Sequence, residues 1–159
     1  MRSAITWISV PAVVISAPAH AVQYLTVEQA QKALFPAGTR FVSHPLEEKR
    51  SEAWEALEGD RRTGWFFVDR VIGKHELITY ALGIGADGAV RGIEILDYRE
   101  SRGGEIRDAE WRRQFVGKKP GDELRAGADI RNITGATLSC RHVTDGVRRL
   151  LAVYEEKLK

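Results

Sequence analysis

The chain has 159 residues, 29% of them charged, with 24 basic against 22 acidic side chains and a formal net charge of +2 at pH 7. That length fits one domain, and basic residues are scattered among acids, with short pairs (Arg61-Arg62, Arg112-Arg113, Arg148-Arg149) that read as solvated faces, which argues against a nucleic-acid partner. One cysteine, Cys140, excludes an internal disulfide framework, and without a Cys-x-x-Cys-His the chain attaches no c-type haem.

The first residues read as a secretory signal. Arg2 is the positive start, Ile5 to Ile15 is a short apolar run broken by Pro11, and Ala19-His20-Ala21 is an A-x-A cleavage pattern. The run is short for a membrane span. Residues 1–21 are therefore expected to be a signal peptide and 22–159 the domain, in a periplasmic or other extracytoplasmic location. An uncleaved anchor is the alternative. Loss of Arg2 lowers the net charge from +2 to +1.

Thr26 followed by Gln29 forms a capping box for a first helix, with Leu25 placed to staple against Ala30 and Pro36 ending it. Phe41-Val42 is a short strand. Glu47 to Leu57, charged with Trp54 and Leu57 on one side, is expected to be a short helix. Trp65 to Val71 is aromatic and β-branched and reads as a strand. Leu77 to Ile84 and Ala89 to Leu96 are two strands joined at Asp87-Gly88. Gly83-x-Gly85-x-x-Gly88 matches a dinucleotide fingerprint, but these glycines lead into a strand where the fingerprint needs a helix. Residues 97–106, polar and glycine-rich at a strand end, suit a binding loop, and composition alone allows an ordinary surface loop equally well. Asp108 is placed to cap a short helix running to Phe115, and Lys118 to Ala128 reads as a loop ending at Asp129-Ile130. Val143, Val147, Leu150, Leu151, Tyr154 and Leu158 recur at helical spacing and mark a long C-terminal helix.

That helix follows Asn132-Ile133-Thr134-Gly135-Ala136-Thr137-Leu138-Ser139. Thr137 or Ser139 is a natural N-cap, and Gly135 permits a tight turn or a close approach. A helix start presents unpaired N–H groups and the positive end of the dipole, which favour a phosphate. From spacing alone, a capped helix after a tight turn accounts for the pattern equally well. Cys140 on the first helical turn reads as a packed residue, although a helix start can also activate a thiol. His142 reads as a surface or packed histidine, and His44 and His75 lack metal-ligand spacing.

Thr-Gly-Ala-Thr-Leu-Ser over residues 134–139, with Val-Thr-Asp-Gly-Val-Arg over 143–148, resembles the flavinylation motif of the FMN-binding domain family. The family includes the flavin subunits of the Rnf and Na⁺-pumping NADH:quinone oxidoreductase complexes. Tyr24 to Pro36 and Trp111 to Lys118 resemble it too. The resemblance implies an α+β fold: a mostly antiparallel sheet packed with helices, the C-terminal helix following the motif. It implies FMN held covalently through a phosphoester to Thr137, with Thr134, Gly135, Ala136, Leu138 and Ser139 around it, and it offers His142 the flavin or its phosphate as another partner. The family's Glu-Thr-x-Gly loop, which lies against the flavin, is matched by Glu100, Ser101, Gly103 and Gly104, with Ser in place of Thr. A free Thr hydroxyl needs external activation, so Thr137 is expected to be the substrate of an exported, Mg²⁺-dependent flavin transferase that uses FAD, and no catalytic residue is assigned. The implied function is electron transfer with a membrane or periplasmic partner such as a cytochrome or quinone oxidoreductase. The alternative is an exported accessory domain that binds flavin weakly or not at all. One position departs: many family members have Asp six residues before the modified Thr, where this chain has Arg131.

Overall fold

The computed structural model describes residues 24–159; the signal-peptide expectation over residues 1–21 lies outside them. Helix α1 (Val27–Leu34) is followed by strands β1 (Arg40–His44), β2 (Glu52–Glu58), β3 (Arg61–Ile72), β4 (Leu77–Gly85) and β5 (Val90–Tyr98). Then come a 3₁₀ turn (Gly104–Arg107), the short helix α2 (Ala109–Arg113) and α3 (Thr137–Val153), whose last turn widens into a π-helical one over Tyr154–Leu158. The five strands pair in chain order as an antiparallel meander, so the fold is α+β as expected. Among the described residues no helix is long and apolar enough to cross a membrane.

Alternation along the strands divides the core between the two faces of the sheet. Even positions of β3, such as Phe66 and Val68, meet Ala30, Leu34 and Phe35 of the α1 region. Odd positions, Trp65 and Phe67, face the larger core formed with α3. The expected helical stripe of Val143, Val147, Leu150, Leu151, Tyr154 and Leu158 is buried there. Each such aliphatic side chain removed from water contributes about 2 kcal/mol before entropy is counted. The capping box of α1 forms as read, with the Thr26 hydroxyl accepting from the Gln29 N–H and the Gln29 side chain accepting from the Thr26 N–H.

Two local expectations are corrected. Residues 47–57 are not a helix: a turn precedes β2, which lies between β1 and β3. Its Glu, Ala and Leu favour helix in isolation, but cross-strand pairing outweighs that preference. Ala53 and Ala56 are small enough to bury on opposite faces, while Glu52 pairs with Arg70 at 2.9 Å and Glu55 with Arg62 at 3.5 Å. The second correction concerns caps. Asp108 occupies the N-cap position of α2 but its side chain makes no capping bond, and Ala136, not Thr137 or Ser139, is the N-cap of α3.

Candidate functional site

In an antiparallel meander the end of β3, the start of β4 and the end of β5 lie at one end of the sheet. Three segments meet there: the β3–β4 turn (residues 73–76), the loop after β5, and the first turn of α3. Each pair is joined.

At the start of α3, the Ala136 N–H donates to Ile133 O at 3.0 Å and closes a turn through Gly135, whose φ of +83° favours glycine. A Cβ on Gly135 would meet nothing, so the conformation, not a close approach, calls for glycine. The first α3 N–H with a partner inside the helix is that of Cys140, to Ala136 O at 2.9 Å. The N–H groups of Thr137, Leu138 and Ser139 precede it and are the donors a helix leaves over. No acidic residue occupies that turn. Thr137 is exposed, as are Leu138 and Thr134. Ser139, already inside the helix, is buried, its hydroxyl turned inward to lie 3.3 Å from Tyr98 Oη.

Tyr98 ends β5 and joins the loop to the helix. Its hydroxyl donates to Arg102 O and also touches Ser139. Gly103, at φ +83°, lies where a Cβ would stand 2.2 Å from Ala136 Cβ and 2.7 Å from Tyr98 Oη. Only glycine fits between the two loops.

Glu100 joins the loop to the β3–β4 turn. One of its carboxylate oxygens accepts the His75 N–H at 2.6 Å and the Glu76 N–H at 3.0 Å. Burial would raise its pKa, but the backbone N–H groups of His75, Glu76 and Lys74 prevail and hold it below the ordinary carboxylate value. A third tie closes the ring: His142 Nδ1 lies 2.6 Å from Ile72 O, linking α3 to the end of β3.

The space these segments enclose is a cleft of about 630 Å³ lined by Lys74 and His75, by Glu100, Ser101 and Arg102, and by Gly135 through Ser139. The two loops singled out in the sequence are therefore brought together. Gly103 lies buried behind the lining, Gly104 begins the 3₁₀ turn, and Thr134 flanks the cleft without lining it. Lys74 has no signal in the sequence, His75 enters there only as a metal ligand that lacks the spacing, and Tyr98 and Arg102 only as part of the 97–106 loop. Once a meander is assumed, its geometry signals them, because Ile78 pairs with Tyr98 and the turn before Ile78 must adjoin the loop after Tyr98. Neither Lys74 nor Arg102 has an acidic partner among the described residues.

The departure before the motif has a structural counterpart. Arg131 pairs with Glu110 at 3.0 Å, and its carbonyl accepts the Trp111 indole N–H at 2.8 Å. Asp129 is occupied elsewhere, accepting from Arg125 N at 2.7 Å, Lys118 Nζ at 2.8 Å and Leu124 N at 3.1 Å. Neither side chain lines the cleft.

A cleft of this size, with helix-start N–H groups and the cations Lys74 and Arg102 in its lining, has the room and the positive potential to hold an anionic small molecule. The sequence profile of the FMN-binding domain matches residues 73–152, from the β3–β4 turn almost to the end of α3. The chain belongs to the FMN-binding domain family. It is also 35% identical, over 86 residues, to one of the subunits of the Na(+)-translocating ferredoxin:NAD(+) oxidoreductase complex of Acetobacterium woodii. That alignment covers 48% of this chain and 42% of the relative, so less than half of the relative's length is represented.

Proposed function

We propose that this protein carries FMN joined through a phosphoester to Thr137 and passes electrons between extracytoplasmic or membrane redox partners. The observation that carries the proposal is the exposed Thr137 at the first position of α3, inside a cleft whose first-turn N–H groups have no acidic neighbour in that turn. The donor set suits the group. Backbone N–H groups of residues 137–139 favour a phosphate, Lys74 and Arg102 add positive charge, and the exposed Leu138 offers apolar surface to a ring. When bound, the flavin supplies one- or two-electron chemistry, and the chain's part is to hold it and tune it through nearby charge and hydrogen bonds.

The Thr137 hydroxyl lacks a neighbouring activating base among the described residues, which favours the reading that a separate enzyme, as the family resemblance implies a flavin transferase using FAD, modifies it. Exposure at the mouth of the cleft leaves it within reach of such an enzyme. The Arg2, apolar and Ala-x-Ala pattern supports export. The relative's place in a ferredoxin:NAD(+) oxidoreductase complex supports a membrane redox partner. A second reading, an exported accessory domain that binds flavin weakly or not at all, draws on Arg131 standing where the family pattern leads one to expect Asp.

The test is the intact mass of the exported protein after co-expression with a flavin transferase, beside Thr137→Ala. The expected result is a gain of FMN less one water in the wild type and none in the variant. An unmodified wild type in a competent host would overturn covalent attachment and favour the accessory reading.

A further inference from the structure

Glu100 belongs to the loop expected to lie against the flavin, yet its carboxylate is turned to the β3–β4 turn. It accepts two N–H groups there, from residues 24 and 25 positions away in the chain. The approach is so close that a Cβ on Gly73 would stand 2.5 Å from Glu100 Oε1. The turn is closed by its own bond, Gly73 N–H to Glu76 O at 2.7 Å. Its tip carries Lys74 and His75 into the lining of the cleft, opposite the start of α3. Resting on the flavin reading above, we propose that this tip is the third wall of the flavin site, with Lys74 supplying the positive charge and Glu100 serving as the positioning residue that holds the tip in place.

The physical argument turns on sign. Glu100 is surrounded by N–H groups that offset its charge on the side facing the turn. Lys74 has no ion-pair partner among the described residues, so its exposed ammonium, screened by solvent but not neutralised by a carboxylate, acts on the cleft it lines. A fixed cation beside a redox group favours its electron-rich form and raises its potential; a fixed anion lowers it. The positioning role and a direct carboxylate role for Glu100 therefore predict opposite shifts when the carboxylate is removed.

The experiment uses the full chain, co-expressed with a flavin transferase, as wild type, Lys74→Met, Glu100→Gln, Glu100→Ala and the Lys74→Met/Glu100→Ala double variant. Intact mass is read first, then the midpoint potential of each loaded protein. Amide exchange at residues 74–76 is followed in parallel in flavin-free Thr137→Ala protein, with and without each change. The expected result is a lowered potential in Lys74→Met, a lowered potential in Glu100→Ala that adds nothing in the double variant, and near wild-type behaviour in Glu100→Gln, which keeps an acceptor oxygen. Amide protection at His75 and Glu76 should fall in Glu100→Ala and persist in Lys74→Met. A raised potential in Glu100→Ala, or no shift in Lys74→Met, overturns the proposal while leaving the flavin reading intact. If Glu100→Ala loads no flavin, exchange decides: unchanged protection at residues 74–76 overturns the positioning role, and lost protection supports it. A wild type with no added mass removes the flavin reading and this proposal together.

Discussion

Helix α3 touches two polar clusters built on opposite terms. Midway along it, Asp69 is fully buried, with Tyr80 Oη at 2.8 Å and an Arg149 nitrogen at 2.6 Å on one oxygen and Ser51 Oγ at 2.7 Å on the other. Glu48 completes the charge on Arg149. Burial first, then the adjacent Asp69 carboxylate, pushes the Tyr80 hydroxyl well above its ordinary pKa, so it stays a donor. At the start of the same helix the first-turn N–H groups and two nearby cations are left over. The closed cluster spends its donors on the protein and holds the sheet to the helix; the open one keeps its donors for something else. Gly146 belongs to the closed set, since a Cβ there would stand 2.4 Å from Tyr80 Oη.

The largest expected effect tests that division from the closed side. Asp69→Ala leaves Arg149 and Tyr80 without their shared acceptor, and breaking a buried pair of this kind costs about 3–5 kcal/mol. Urea unfolding should show that loss, while flavin incorporation per folded molecule stays at the wild-type level. An equal fall in incorporation would mean that the two clusters act as one.

Gly103→Ala attacks the open side. The new methyl would meet Ala136 and Tyr98 while the backbone sits at φ +83°. Overpacking and strain together should cost about 2 kcal/mol. The separation of the two loops should also reduce FMN incorporation at temperatures where the variant remains folded. Wild-type incorporation alongside lowered stability would place the Gly103 contact with the scaffold and outside the cleft.

Much of this was legible beforehand, for reasons that can be located. The capping box at Thr26 and Gln29 and the Asp87-Gly88 turn are local devices, each completed within a few residues. The stripe from Val143 to Leu158 is long and strictly periodic. Strand β2 was not legible because its identity comes from its neighbours: Ala53 and Ala56 become strand residues by pairing with Phe67 and Gly64. The start of α3 was read as a side-chain cap because Thr and Ser usually cap. In the fold the helix already starts at Thr137, with Ala136 as its N-cap, and the Ser139 hydroxyl meets Tyr98, 41 residues away in the chain. The loops of the cleft were found by resemblance, whereas Lys74 and His75 depend on a contact with Glu100 that no short motif encodes.

A smaller effect comes from a third polar group, which shares the closed cluster's logic without its burial. Burial would raise the Asp129 pKa, but the Arg125 N–H, Lys118 and the Leu124 N–H outweigh it and lower it from 3.8 to about 2. Because the folded value lies below the unfolded one, the stabilisation is present above pH 4 and is lost as the pH falls through about 2. With the side chain 22% exposed, solvent screening reduces this to roughly 1 kcal/mol. Asp129→Asn should therefore be less stable than wild type in urea at pH 7, and the gap should close on acidification. A gap independent of pH would assign the role of Asp129 to shape and not to charge.

The smallest expected effect is a null result at Cys140. The sequence reads it as a packed residue, although its place on the first turn of α3, three residues past Thr137, also allows the helix start to activate it. The fold answers with burial. Cys140 has no exposed surface and packs in the core beneath α3. Burial pushes its thiol above the ordinary value, further than the backbone hydrogen bonds around it pull it down. Thr137 and Cys140 therefore differ in what one helical turn does to them: one faces the cleft and the other the core. Iodoacetamide at pH 8 should leave the native protein unlabelled and label it fully in urea, with no label in either state for Cys140→Ser. Labelling of the native protein at the unfolded rate would mean that the first turn of α3 opens readily, and the closed packing behind the cleft would then have to be abandoned as the feature that keeps its donors in place.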